Sequence, residues 1–200
     1  MDKPVDIPGI RIITVSGRIT SGSTTLAKHL AKHLGWKHLE GGEIFWEAVR
    51  SKLGLETKDT NLRPDEEDLL FEEKQKEILS EGKHIVLESK LAGFCAQGMD
   101  DVLKVAVVCE DKDGTDQVNI RIDRLVNREE LSIDEAKEEV IEREANDLAK
   151  WRKLYTNDDQ EWVYWDRKYY DIVVNTFTHN QDESLQLVLE RLGIKELPNK

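Results

Sequence analysis

The stretch Gly17-Arg-Ile-Thr-Ser-Gly-Ser-Thr-Thr25 decides the fold that this chain is expected to adopt. It follows the phosphate-binding pattern G-x-x-x-x-G-K-[ST] at Gly17, Gly22 and Thr24, with Ser23 in the place of the lysine. An apolar, β-branched run precedes the stretch, and the residues after it are apolar at helical spacing. The sequence therefore predicts a strand, a glycine loop and a helix, which together point backbone N–H groups and a positive helix end at an anion.

The loop is expected to bind the phosphates of a nucleotide through its backbone N–H groups. The residues assigned to this role are Gly17, Arg18, Ile19, Thr20, Ser21, Gly22, Ser23, Thr24 and Thr25. The hydroxyl of Thr24 is also a predicted Mg²⁺ ligand. An ordinary glycine turn between a strand and a helix is the alternative, because the lysine is missing. If a phosphoryl group is transferred here, Mg²⁺ and arginines must offset its charge instead.

Length and charge narrow the class of protein. The chain has 200 residues, which suits one compact domain, and its formal net charge of -12 disfavours nucleic acid and anionic membranes as partners. No stretch approaches the ~18 apolar residues of a membrane span. Two cysteines do not form a disulfide framework, so a reducing cytoplasm is the expected location. Residues 1–9 are expected to be a flexible lead-in to a single domain over 10–200.

Apolar runs alternate with helical stretches along the chain, which indicates a parallel sheet flanked by helices. The predicted strands are Ile10–Val15, Lys37–Leu39, His84–Leu87, Leu103–Val108 and Ile172–Val174. The predicted helices are Thr24–Leu34, Glu43–Leu53, Asp65–Ser80, Val118–Arg128, Ile133–Tyr155 and Asp182–Leu192. Ser132 and Glu135 form a capping-box pattern at the start of the longest helix.

Arginines in the second half of the chain are candidate phosphate ligands. Arg121, Arg124 and Arg128 lie three and four residues apart and so share one helix face, and Arg143 follows on the next helix. Planar guanidinium groups suit bidentate contact with phosphate. The alternative is simple ion pairing at the surface, since acidic residues such as Glu144 surround them.

Glu88 ends an apolar run, where the carboxyl ends of parallel strands line a ligand crevice. A carboxylate there can hold a Mg²⁺-bound water or orient an acceptor, although an ordinary strand-end carboxylate is equally compatible with the pattern. Lys90, two residues further on, could contact an anionic substrate.

Taken together, several segments resemble the archaeal-type cytidylate kinases, a group of nucleoside monophosphate kinases. The segments that carry the resemblance are Ile13–Thr25, Glu40–Phe45, Val86–Gly93, Arg121–Glu129, Arg143-Glu144 and Tyr170–Thr176. Their joint order is more specific than any one of them, and together they span about residues 10–194. Members of this family also lack the lysine at the position of Ser23.

The resemblance implies a P-loop kinase fold with a five-stranded parallel sheet, a nucleoside monophosphate-binding region near 42–82 and a lid near 115–155. It implies ATP- and Mg²⁺-dependent transfer of a phosphoryl group to CMP or dCMP. We also expect the protein to be a monomer. Arg121, Arg124, Arg128 and Arg143 would then be catalytic, and Thr24 and Glu88 would serve the metal. The acceptor would lie against Gly42, Phe45, Trp46, Glu88, Lys90, Leu91, Gly93 and Lys150.

Three positions depart from the family, because Trp46, Lys90 and Lys150 stand where its members carry arginine. Lysine keeps the charge but loses the bidentate geometry, and tryptophan removes the charge. All three positions belong to the acceptor or lid segments. Two alternatives therefore stay open at this point: a kinase for another small acceptor, and a nucleotide-binding relative without catalytic activity.

Overall fold

A five-stranded, wholly parallel sheet forms the centre of the molecule. The computed structural model describes residues 3–53 and 63–194. The strands are β1 Ile12–Gly17, β2 Lys37–Glu40, β3 Ile85–Glu88, β4 Val102–Val108 and β5 Ile172–Asn175, in the order β2-β3-β1-β4-β5. Val15 of β1 lies opposite Glu88 and Val105, so the carboxyl ends of the three central strands meet at one edge. The predicted five-stranded parallel sheet is confirmed.

Helices connect and cover the strands. They are α1 Ser23–Leu34, α2 Gly41–Leu53, α3 Asp65–Glu81, α4 Ala92–Cys95, α5 Val118–Glu129, α6 Ile133–Lys137, α7 Glu144–Tyr155 and α8 Gln181–Arg191. A π-helical turn, Glu138–Arg143, joins α6 to α7, so the single helix predicted over this region is interrupted. Within residues 3–53 and 63–194, no helix is long and apolar enough to cross a lipid bilayer.

The core lies on both faces of the sheet. On one face, Ile13 and Val15 of β1 pack with Leu30 of α1 and Val188 of α8. On the other face, Ile12 packs with buried residues of α3, α4 and their neighbouring strands, namely Leu79, Leu87, Ala92, Ala96 and Val102. Every residue of β1 is buried, as expected for a central strand of a parallel sheet covered on both sides. This burial holds the loop after β1 on a rigid base.

An aromatic cluster fixes α7 against the carboxyl edge of the sheet. Trp151 of α7 packs with Leu91, Trp162 and Tyr164, and all four are buried. The rings of Trp151 and Tyr164 meet edge to face with their centres 5.5 Å apart. This packing places the charged residues of α7 beside the ends of β1 and β3.

The N-terminal segment is docked rather than free. The N–H of Val5 donates to the carbonyl of Leu34 at 2.9 Å, and the indole of Trp36 donates to the carbonyl of Val5 at 2.8 Å. Ile7 is buried in the core beside α1. The lead-in expected to be flexible is therefore attached to the domain over the part that the structure describes, because Ile7 packs into the core and Trp36 bonds to Val5.

Candidate active site

The loop between β1 and α1 requires its glycines. A Cβ on Gly17 would lie 2.3 Å from the Ser21 hydroxyl and 2.9 Å from the carbonyl oxygen of Val107. Gly22 has a φ of 107°, and a Cβ there would also lie 3.1 Å from the Thr176 methyl group. These two positions hold the backbone in a turn that side chains would distort.

The first turn of α1 has N–H groups without a capping side chain. Gly22 is its N-cap and supplies no side-chain acceptor, and no acidic residue lies in the first turn. By contrast, α6 and α8 are capped by Ser132 and Asn180, each with a complete capping box. Because the first N–H groups of a helix have no partner within it, those of α1 are placed to receive an anion.

Glu88 lies directly against this helix start. One of its carboxylate oxygens accepts hydrogen bonds from the hydroxyls of Ser23, at 3.1 Å, and Thr24, at 3.0 Å. Its other oxygen is buried, and within the described residues it accepts no hydrogen bond. The carboxylate thus joins the end of β3 to the beginning of α1.

His38 and Glu40 lie beside Glu88 on the neighbouring strand. One potential ligand atom from each of the three residues lies within 4.8 Å of the others. Oxygen donors such as the Thr24 hydroxyl and carboxylates are the ligands that Mg²⁺ prefers. The chemistry of these residues and the unbonded Glu88 oxygen therefore fit a divalent cation. The sequence predicted Thr24 and Glu88 here but not Glu40, which ends β2 as Glu88 ends β3.

A cavity of about 370 Å³ opens on the outer side of the loop. Its walls come from the loop and α1, from α5 and from the segment before α8, namely Thr20, Gly22 to Leu26, Arg124, Arg128, Thr176, His179 to Gln181 and Ser184. The volume falls within the range typical of small-molecule sites, roughly 300–1,000 Å³. We call it the outer cavity.

The arginines on α5 occupy different environments although they were predicted to share one face. Arg124 donates to the Thr176 hydroxyl and carbonyl, each at 2.9 Å, and lines the outer cavity. Arg128 also lines it, is half exposed and pairs with Glu129. Pairing with an acidic neighbour, the alternative raised by the sequence, is thus found for Arg128.

Arg121 is fully buried beneath the loop and does not line the outer cavity. It pairs with Asp116 at 2.8 Å and Glu144 at 3.2 Å, and it donates to the carbonyl of Ile19 at 2.8 Å. Glu144 also accepts from the Arg18 guanidinium and from the N–H of Ile19, at 2.6 and 3.0 Å. The positions of Arg18 and Arg121 suit support of the loop.

Glu144 is held as an anion in this network. Burial by itself would raise the pKa of its carboxyl group, but the cations of Arg121 and Arg18 outweigh that effect and lower the pKa. The sequence did not assign a role to Glu144, since its partners lie more than a hundred residues away along the chain at Arg18 and Ile19.

A second cavity, of about 100 Å³, lies between α2, α3, α7 and the residues that follow β3, and we call it the inner cavity. It is lined by Gly42, Phe45, Trp46, Arg63, Asp68, Phe71, Gln75, Ser89, Lys90, Leu91, Arg143, Asp147, Trp151 and Tyr155. Five of the eight predicted acceptor residues are in this set. Ser89 to Leu91 follow Glu88 directly, and the Glu88 carboxylate is bonded to Ser23 and Thr24 of the outer cavity, so this residue connects the linings of the two cavities.

Gly93 and Lys150 do not line the inner cavity. A Cβ on Gly93 would lie 2.3 Å from the ring of Tyr170, which explains the glycine by packing. The Lys150 ammonium donates to the carbonyl of Arg63 at 2.5 Å and pairs with Asp68 at 2.8 Å. It thereby fixes residues that do line the cavity.

A charge network closes one wall of the inner cavity. Asp147 pairs with Lys90 at 2.8 Å and Arg63 at 3.1 Å, and Arg63 also pairs with Asp68 at 2.9 Å. Burial by itself would raise the pKa of Asp147, but the nearby Lys90 and Arg63 cations hold it well below its usual range. Arg143, which pairs with Glu139, also lines this cavity, so three cationic side chains are brought together in a chain that is strongly acidic as a whole.

Comparison with known proteins places this arrangement in a family. The family model described as the cytidylate kinase-like family matches residues 12–178. The chain belongs to that family. A cytidylate kinase from Methanopyrus kandleri is 32% identical over 181 residues, covering 88% of this chain and 90% of that protein. One from Pyrococcus horikoshii is 34% identical over 168 residues, covering 82% of this chain and 79% of that protein.

Solved structures support the fold. A shikimate kinase from Bacteroides thetaiotaomicron superimposes with a TM-score of 0.57, covering 92% of this chain and 99% of that chain at 14% identity. At that identity the likeness shows the fold alone. The predicted P-loop kinase fold is confirmed.

At Trp46, where this cytidylate kinase-like chain lacks an expected arginine, a neighbouring residue supplies a cation. The Arg63 guanidinium lies over the rings of Phe45 and Trp46, 5.1 and 5.5 Å from their centres. A cation is thus present beside Trp46 although residue 46 carries none. Sequence reasoning missed Arg63 because no local pattern surrounds it.

Proposed function

We propose that this protein transfers the γ-phosphoryl group of ATP to CMP or dCMP, releasing ADP and the corresponding diphosphate. The observation that carries the proposal is a pair of cavities connected through Glu88, which accepts hydrogen bonds from Ser23 and Thr24 of the outer cavity and directly precedes Ser89 to Leu91 of the inner cavity. One cavity meets the uncapped start of α1, and the other is lined by aromatic rings, an amide and three cationic side chains. This arrangement suits two phosphorylated molecules, one in each cavity.

ATP is the proposed occupant of the outer cavity. Its phosphates would accept hydrogen bonds from the N–H groups at the start of α1 and would lie near Arg124 and Arg128. The Thr24 hydroxyl, Glu88 and Glu40 would hold Mg²⁺ beside them, directly or through water. When bound, Mg²⁺ neutralises charge on the transferred phosphate.

CMP or dCMP is the proposed occupant of the inner cavity. Lys90 and Arg143 would bind its phosphate, and Phe45 and Trp46 would pack against its base. The cavity of about 100 Å³ is smaller than a typical ligand site. Binding therefore requires the wall formed by Arg63, Lys90 and Asp147 to open, which exchanges carboxylate partners for the phosphate of the acceptor.

The proposed reaction is an in-line displacement. A phosphate oxygen of the acceptor is already ionised, so no general base is needed. The residues supply orientation and positive charge: the N–H groups of α1 fix the donor, Lys90 and Arg143 fix the acceptor, and Arg124 and Arg128 offset charge on the donor phosphates. Exclusion of water by closure of the region near 115–155 would prevent hydrolysis of ATP.

The test is ADP release from ATP and Mg²⁺ with CMP, dCMP, UMP, AMP, GMP and dTMP, each as sole acceptor. We expect selective turnover of CMP and dCMP. Shikimate serves as an acceptor without a base, chosen because a shikimate kinase shares the fold. Turnover of a non-nucleotide acceptor without turnover of CMP would favour a kinase for another small acceptor. ATP binding by calorimetry without any transfer would favour a non-catalytic relative.

A monomeric state and a cytoplasmic location also stay predictions for this protein. Size-exclusion chromatography with light scattering would test the monomeric state, because a dimer would have a measured mass of twice the chain mass of 23.1 kDa.

A further inference from the structure

Gln75 is a buried amide without a hydrogen-bond partner. It lies on α3, is 1% exposed and lines the inner cavity. Among the described residues, neither the oxygen nor the nitrogen of its amide makes a hydrogen bond. Buried polar groups are nearly always paired, and leaving one unpaired costs stability. A side chain held in this state is a candidate for pairing with a ligand.

Up to Gln75, helix α3 reverses the usual pattern of a helix. Asp68 and Gln75, seven residues apart, are buried, whereas Leu69 and Leu70 are 43% and 50% exposed. A helix that packs on a core normally buries its leucines and exposes its polar side chains. The reversal is expected where a helix face lines a ligand site.

A second unpaired polar group faces the same cavity. The hydroxyl of Tyr155, at the end of α7, is buried and makes no hydrogen bond within the part of the chain described. Tyr155 lines the inner cavity with Gln75 and the rings of Phe45, Trp46 and Phe71. The cavity therefore combines aromatic surfaces with two unused hydrogen-bonding groups from different helices.

This combination matches the edge of a nucleobase. A glutamine amide offers one acceptor and one donor side by side, and it forms paired hydrogen bonds with an edge that carries the complementary donor and acceptor. The 4-amino group and N3 of cytosine form such an edge. A sugar or a hydroxy acid has no planar edge of this kind and gains less from aromatic surfaces.

We propose that Gln75 is a specificity-determining residue that binds the 4-amino group and N3 of the acceptor's cytosine, an inference that rests on the proposed function. The Gln75 carbonyl accepts from the amino group, and the amide N–H donates to N3. Tyr155 supplies a further hydrogen bond to the same base. The phosphate contacts through Lys90 and Arg143 are independent of this recognition.

The test compares two acceptors with two proteins. The acceptors are CMP and its 4-deamino analogue, which lacks only the exocyclic amino group. The proteins are the wild type and Gln75→Met, which preserves side-chain length. We expect the wild type to lose about 10- to 100-fold in kcat/KM on the analogue. For Gln75→Met, kcat/KM for CMP should fall by a similar factor. The variant should then have equal kcat/KM values for CMP and for the analogue.

Thermal unfolding separates recognition from a structural role. If Gln75 serves the ligand, Gln75→Met removes an unpaired buried amide, and its Tm without ligand should equal or exceed that of the wild type. A clearly lower Tm would overturn the inference by showing that Gln75 supports the fold. Gln186→Met, at a partly exposed position of α8 that lines neither cavity, is the matched control and should change neither kcat/KM nor acceptor preference.

The outcomes distinguish the inference from the function on which it rests. Turnover of CMP by the wild type with equal use of the 4-deamino analogue would overturn the role of Gln75 and leave the kinase intact. This comparison needs no variant, so it holds even if Gln75→Met fails to fold. Absence of CMP turnover and of CMP binding by the wild type would overturn both.

Discussion

Removing the charge of Glu144 should strongly destabilise the protein. The carboxylate is 3% exposed and joins Arg18, Ile19 and Arg121, the last of which is fully buried. Glu144→Gln keeps the shape but leaves the buried Arg121 cation with Asp116 as its remaining carboxylate. Breaking a buried ion pair by removing one partner typically costs roughly 3–5 kcal/mol.

For a chain of this size, each 1 kcal/mol lowers Tm by about 2–4 °C, so the expected loss is about 6–20 °C. The pKa of Glu144 is lowered below its ordinary value of 4.5 in the folded state. Its contribution is therefore present above that pH and is lost as the pH falls through the folded pKa. The difference between wild type and variant should narrow under strongly acidic conditions.

Differential scanning calorimetry at pH 7 measures the effect directly. Glu142→Gln, an exposed carboxylate on the preceding π-helical turn, is the matched control and should stay within about 0.5 kcal/mol of the wild type. A loss of stability in Glu144→Gln no larger than that in Glu142→Gln would refute the reasoning. In the double variant Arg121→Met/Glu144→Leu, the combined loss should be smaller than the sum of the single losses.

Three further predictions concern the loop and the outer cavity. Arg128→Ala should lower kcat about tenfold or more without changing Tm. The reason is that Arg128 lines the outer cavity and, among the described residues, pairs only with exposed Glu129. Unchanged steady-state rates would contradict this prediction. Glu88→Gln should raise the Mg²⁺ concentration needed for half-maximal rate by roughly 10–100-fold, and an unchanged Mg²⁺ titration would exclude Glu88 from the metal site. Gly22→Ala should destabilise the fold by about 1–2 kcal/mol and weaken ATP binding measured by calorimetry, because φ is 107° at this residue. Wild-type stability and wild-type ATP affinity in this variant would show that the loop tolerates a Cβ.

The sequence by itself determined the order of elements and the phosphate loop. Apolar runs of β-branched residues bounded by turns are local signals, and they placed β1, β3, β4 and β5 within a few residues. The pattern at Gly17 and Gly22 fixed the loop because only glycine fits the backbone there. The π-helical turn at Glu138–Arg143 was missed, since its residues continue the helical pattern on both sides.

Tertiary structure decided what each polar side chain faces. Arg121 and Arg128 have the same spacing signal, yet one is buried beneath the loop and the other is half exposed. Helical periodicity tells which residues share a face but not which distant segment packs against it. Glu144 meets Arg18 across 126 residues, and no local pattern encodes such a contact.

The residues that line the inner cavity show most clearly that local sequence patterns do not encode contacts between distant segments. Helix α3 carries acidic and apolar residues without a strong amphipathic pattern, so its sequence did not indicate that Gln75 would be buried or that Leu69 would be exposed. Burial there is set by the small cavity between α3, α7 and the end of β3, which exists only after these elements have packed. Hydrophobic patterning reports burial in an apolar core, whereas a polar binding surface is defined by the partners that folding brings to it.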